Sequence, residues 1–140
     1  MTEGEHLRDL LASTETLVVV GASRDPAKDA QAVPARLQRA GWRIIPVNPF
    51  ATEILGERAY PTLADVAEPV EFVNVFRPSS ETPAVARAAI AVGARVLWLQ
   101  EGIVSPEAKA LAEAAGLEYV EDRCVAVIRA LYQLTKPPQR

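Results

Sequence analysis

Short apolar runs alternate with amphipathic stretches along this chain, and Gly or Pro stands at most of the joints. Leu7, Leu10 and Leu11 recur at helical spacing in a short helix over 5–12. Leu17 to Val20 is an unbroken apolar run ending at Gly21. A strand apolar on both faces suits the centre of a parallel sheet covered by helices. A helix over 30–40 follows, with Val33, Leu37 and Ala40 on one face and Gly41 as its stop. Pro34 belongs near a first turn, which predicts a helix start later than Asp29. The second strand runs over 42–47 and closes at Asn48 and Pro49; Gly56 turns the chain into a short edge strand over 57–60. Thr62 and Asp65 have the spacing of a capping box. A strand over 70–76 leads to a helix capped by Ser79 or Ser80 and ended by Gly93. A strand over 95–99 follows, then a helix opened by Ser105, Pro106 and Glu107 and ended by Gly116. A last strand over 117–120 and a closing helix over 125–134, before Pro137 and Pro138, complete the pattern.

This alternation predicts an α/β fold: a three-layer, Rossmann-like, doubly wound, mostly parallel sheet within one domain over 1–140. The expected strand order sends the first three strands to one side and the next three to the other. A cleft then opens beyond the C-terminal ends of the first and fourth strands, fed by the loops after Val20, Val47, Val75 and Leu99.

Composition narrows the chemistry. The 140 residues carry a formal charge of −3, with 49% apolar and 24% charged residues, which is ordinary globular composition. Twelve Arg and three Lys are scattered, leaving no basic run for a nucleic acid. No apolar stretch approaches the ~18 residues of a membrane span, and the acidic start lacks a signal peptide's basic region, so a cytoplasmic location is expected. A single Cys, Cys124, excludes an internal disulfide and multi-thiolate zinc. The single His, His6, falls in what reads as a mobile first helix, too far from the cleft for a Ser/His/Asp triad.

The loops carry the candidate site. Gly21, Ala22 and Ser23 follow the first strand; their amides and the next helix start can cradle a phosphate, and Arg24 and Lys28 add positive charge. A dinucleotide site asks for three spaced glycines here and an acid after the second strand. This chain has Gly21 alone of the three and Asn48 at the second position, which argues against NAD; Arg24 or Arg43 leaves NADP open. Phe76 and Arg77 end the third loop, where an aromatic ring can flank a base and a guanidinium can pair a phosphate. Gln100 and Gly102 sit in the fourth loop, one as donor and acceptor, the other permitting close backbone approach. Trp98, inside a strand, reads as core. Cys124 reads first as a small residue at a helix start, alternatively as a thiol at the cleft rim. Tyr132 and Lys136 have the Tyr-x-x-x-Lys spacing of short-chain dehydrogenases, but they lie at the end of the chain, away from the expected cleft.

Five segments occur in order at expected strand ends: Val20 to Ser23, Ile45 to Pro49, Val75 to Pro78, Trp98 to Ile103, and Asp122 to Cys124. Together they resemble the small stand-alone CoA-binding (YccU-like) proteins, from about Thr14 to Leu131, and are similar to the N-terminal domain of the succinyl-CoA synthetase α subunit. The resemblance implies coenzyme A or an acyl-CoA in the cleft. Gly21 through Pro26 would form the phosphate loop. Val47, Asn48, Pro49, Phe76 and Arg77 would lie around the nucleotide, and Gln100, Glu101 and Gly102 would form the remaining turn. The synthetase has a lysine shortly after its second strand where this chain has Phe50 and Ala51, so Arg24 or Lys28 would supply that charge. Synthetases work through a phosphohistidine on another domain, and His6 precedes the first strand. The resemblance therefore implies a binder without catalysis of its own. The alternatives are a partner subunit of a CoA ligase, an NADP-binding redox protein, or a chain that pairs with another protein or with itself.

Overall fold

The computed structural model describes residues 1–137. Its elements are α1 (Glu3–Ala12), β1 (Thr16–Val20), α2 (Asp29–Arg39), β2 (Arg43–Val47), β3 (Glu53–Ile54), β4 (Glu57–Arg58), β5 (Phe72–Val75), α3 (Thr82–Ala91), β6 (Val96–Leu99), α4 (Pro106–Ala114), β7 (Glu118–Val120) and α5 (Val125–Leu131). Five strands form one parallel sheet in the order β2-β1-β5-β6-β7. The chain therefore reverses direction across the sheet between β1 and β5, and the C-terminal ends of those two strands are the switch point.

Strand sides alternate, so each strand feeds two cores. On one face Leu17, Val19, Phe72 and Trp98 pack with α1, α2 and α5. On the other, Val18, Val73, Val75, Leu97 and Leu99 pack with α3 and α4. Every residue of β5 and β6 is buried. Among the described residues no helix is long and apolar enough to cross a membrane.

Several expectations change. The edge strand over 57–60 does not join the main sheet. Leu55 and Gly56 both have left-handed backbone (φ 55° and 74°), which makes a two-residue turn and folds β3 back on β4 as a separate hairpin. Of this segment Tyr60 alone forms a bridge to the sheet, a parallel one to Val47. Helix α2 starts at Asp29 with Pro34 well inside it. Pro34 has no N–H for the Ala30 carbonyl, and the Ser23 amide donates to that carbonyl instead (3.1 Å). The Ser79/Ser80 cap is absent: a 3₁₀ turn over Ser79–Glu81 precedes α3, and Thr82 Oγ1 donates back to the Ser79 carbonyl. Helix α5 stops at Leu131, not 134, because Gln133 adopts φ 51° and the Leu134 amide closes on the Arg129 carbonyl. Of the two prolines expected to stop it, Pro138 lies outside the described residues. Helix α1 is docked rather than mobile, with Leu7, Leu10 and Leu11 buried.

Candidate functional site

The loops at the switch point are tied together before any ligand is considered. Gly21 follows β1 with φ 88°, and its amide donates to the Val47 carbonyl (3.0 Å). A Cβ there would lie 2.6 Å from the Phe76 carbonyl oxygen and 2.8 Å from Arg77 Cδ. The loops after β1 and β5 therefore cross in contact, with no room for a side chain. Asn48 joins the loops after β1 and β2. Its Nδ2 donates to the Ala22 carbonyl (2.9 Å), while its Oδ1 accepts from the Phe50 amide (2.7 Å). Ser79 Oγ accepts from the Val104 amide (3.3 Å), linking the loops after β5 and β6. Asp122 Oδ1 accepts from the Gly102 amide (2.7 Å), joining the loops after β6 and β7.

Replacing Asn48 by Ala removes two of these bonds and leaves the Ala22 carbonyl without its donor. A loss of about 1–2 kcal/mol is expected, read from the urea midpoint at unchanged m-value.

Between α2, the loops after β5 and β6, and the start of α5 lies a cleft of about 500 Å³. Its walls include Asp29, Ala30, Val33 and Arg36 of α2, Phe76 and Arg77, Gln100, Glu101 and Ile103, and Cys124 and Val127. Small-molecule sites commonly enclose roughly 300–1,000 Å³. A hollow of about 550 Å³ beside Trp42 and Lys136 lies at the opposite end of β2 and involves none of these loops.

Of the expected site residues, Phe76, Arg77 and Gln100 line the cleft directly. Gly21, Ala22, Val47 and Asn48 do not line it but tie the neighbouring loops together, and Ala22 and Val47 are buried. Ser23 accepts from the Asp25 amide through Oγ (3.0 Å), which shapes the loop. Arg24 and Lys28 are exposed on that loop, and Lys28 is the residue before α2. Pro49 is exposed and does not line the cleft. Gly102, φ 86°, faces open space. The amides of Gly21 and Ser23 are already bonded, whereas Asp29 and Ala30 stand in the first turn of α2, where helix amides lack intrahelical acceptors. Arg77 is held by Glu81 through two bonds (2.7 and 3.2 Å), which moves the free positive charge to Arg24, Lys28 and Arg36.

Arg43 is a correction: it starts β2 at the far end of the sheet and pairs with Glu68 and Glu57. It cannot meet a phosphate in the cleft. Tyr132 and Lys136 are also remote. Lys136 donates to the Ala12 carbonyl and lies over the Trp42 ring. His6 pairs with Glu118 (3.2 Å), outside the cleft.

The sequence reading missed the α2 wall. Asp29, Val33 and Arg36 recur at i, i+4 and i+7, a stripe visible in the spacing but there assigned to solvent and core. It also missed the polar floor. Asn74, 1% exposed on β5, donates through Nδ2 to the Trp98 carbonyl (3.4 Å) and to Gln100 Oε1 (3.3 Å). Trp98 is core as expected, yet its Nε1 also donates to the Arg123 carbonyl (2.8 Å) and so fixes the segment leading into Cys124.

These features coincide with three comparisons. YneT of Bacillus subtilis is 35% identical over 125 residues, covering 89% of this chain and 93% of that protein. A Thermus thermophilus structure, cell-free ID.343, is 37% identical with a TM-score of 0.87, covering 93% of this chain and 98% of that one. The ADP-forming acetate–CoA ligase II of Archaeoglobus fulgidus is 33% identical over 81 residues, 56% of this chain but 12% of the ligase. The family model described as a CoA binding domain matches residues 15–130, from the start of β1 into α5, and with these relatives it places the chain in the CoA-binding domain family.

Proposed function

We propose that the switch-point cleft binds coenzyme A or an acyl-CoA, and that this chain holds the ligand without converting it. The observation that carries this reading is the coincidence of the family match with loops already locked around a cleft of the right size. The pyrophosphate lies at the first turn of α2, where the amides of Asp29 and Ala30 and the helix dipole favour negative charge. Arg24 and Lys28 meet the 3′-phosphate from the preceding loop, the adenine rests against Pro49, and the pantetheine arm runs past Phe76 toward Gln100.

Calorimetric titration of CoA against dephospho-CoA tests the assignment. Loss of the 3′-phosphate is expected to weaken binding about tenfold, near 1.4 kcal/mol, through lost charge-assisted bonds. Equal affinities would remove Arg24 and Lys28 from the site. A melting-temperature screen with CoA, acetyl-CoA, NAD and NADP separates this reading from a nicotinamide site, since CoA and acetyl-CoA alone are expected to stabilise.

A second reading, partner subunit of a CoA ligase, is supported by the match to the Archaeoglobus ligase. It predicts co-elution with a second chain on gel filtration. A single peak at the mass of this chain or its homo-oligomer counts against it.

A further inference from the structure

The orientation of one amide group fixes what the inner end of the cleft presents. Gln100 is 6% exposed and lines the cleft. Its Oε1 accepts from Asn74 Nδ2 (3.3 Å) and from the Val125 amide (3.4 Å). A backbone N–H can only donate, so the oxygen must face Val125. The Nε2 group is thereby turned the other way, and it donates to no protein group among the described residues. Gln100 lines the cleft, so this donor is open to an acceptor brought in by a ligand. A carbonyl oxygen is one acceptor that suits it.

The residue before Val125 is Cys124, a free, partly exposed thiol in the wall of the same cleft. The Trp98 bond to the Arg123 carbonyl holds its backbone in place from the other side. The Gln100 side chain and the Cys124 thiol thus line the same cleft, tied to each other through the Val125 amide. A pantetheine arm has the matching pair: an amide carbonyl a few atoms from a terminal sulfur.

Resting on the CoA reading above, we propose that Cys124 is a covalent docking point for the sulfur end of a CoA-type ligand, with Gln100 Nε2 holding the adjacent carbonyl. The co-reactant is a disulfide of CoA. The Cys124 thiolate attacks one sulfur of that disulfide, a new S–S bond forms to Cys124, and the old S–S bond breaks. The departing half leaves as CoA thiolate and takes up the proton lost by Cys124. One disulfide is consumed and one is made, so no further oxidant enters.

The test has two stages. Reduced protein is first titrated with CoA in a phosphine reductant. After removal of the reductant it is incubated with CoA disulfide or with cystamine, a disulfide lacking the nucleotide, and followed by intact mass and released thiol. The expected result is one CoA adduct per chain, reversed by reductant and absent from Cys124→Ser. Its formation should be on the order of 100-fold faster than with cystamine, because binding places the two sulfurs together. Gln100→Glu keeps an acceptor for Asn74 and Val125 but removes the donor, and should lose most of that advantage. If CoA titrates but Cys124 reacts equally fast with both disulfides, the covalent role is overturned while the binding reading stands. If CoA does not titrate, the binding reading falls and this inference with it.

Discussion

Alanine at position 21 is expected to cost about 3 kcal/mol or more of stability, against about 1 kcal/mol for alanine at position 102. The two glycines have the same backbone, φ 88° and 86°, so the conformational penalty of a Cβ is shared, about 1–2 kcal/mol. Space separates them. Around Gly102 nothing lies within 4 Å of the added carbon, whereas at Gly21 it meets the Phe76 carbonyl oxygen at 2.6 Å. That oxygen belongs to the backbone just past β5 and cannot swing aside as a flexible side chain would. Relief requires the loops after β1 and β5 to part, and overpacking of this kind adds roughly 1–3 kcal/mol. The paired substitutions therefore isolate the close approach from the dihedral. Urea midpoints measure the stabilities, and calorimetry with CoA reads the consequence for the cleft, since Phe76 and Arg77 form one wall. Equal losses at 21 and 102 would mean that the loop crossing constrains nothing.

The layers and the mostly parallel sheet were legible because they rest on long-range patterning. Leu17 to Val20 and Val96 to Leu99 are apolar on both faces, as a central parallel strand requires, and the glycines 41, 93 and 116 each end a helix with positive φ. What failed depends on particular local geometry. Gln133 adopts the left-handed conformation usually left to glycine, so the end of α5 carries no composition signal. Pro34 was misplaced because its missing hydrogen bond is compensated by Ser23, eleven positions earlier in the loop that leads into α2. The same limit governs the site. Gly21, Phe76 and Gln100 were legible as strand-end residues. The Arg77–Glu81 pair is local and has i, i+4 spacing, but the amide relay from Trp98 through Asn74 to Gln100 exists only once distant segments meet.

Trp98 is where the core and the cleft are mechanically one, and its substitutions should separate the two contributions. It is fully buried in β6 and lies 5.6 Å from the Phe72 ring at a 30° tilt. Trp98→Ala removes that packing and leaves a cavity, for an expected loss of about 3–5 kcal/mol. Trp98→Phe keeps an aromatic ring in the core and removes the Nε1 donor, so the Arg123 carbonyl loses its 2.8 Å partner. The expected cost is smaller, about 1–3 kcal/mol, combining the unmade bond with a modest loss of volume. The affinity for CoA should not follow stability in proportion. Backbone at 123–125 carries Cys124 into the cleft and presents the Val125 amide to Gln100, so freeing Arg123 loosens both groups at once. The phenylalanine variant should therefore remain folded at 25 °C yet bind CoA several-fold more weakly, about 1 kcal/mol, when titrated well below its melting temperature. A variant that loses stability but binds CoA as the wild type does would show that the indole nitrogen serves the core alone.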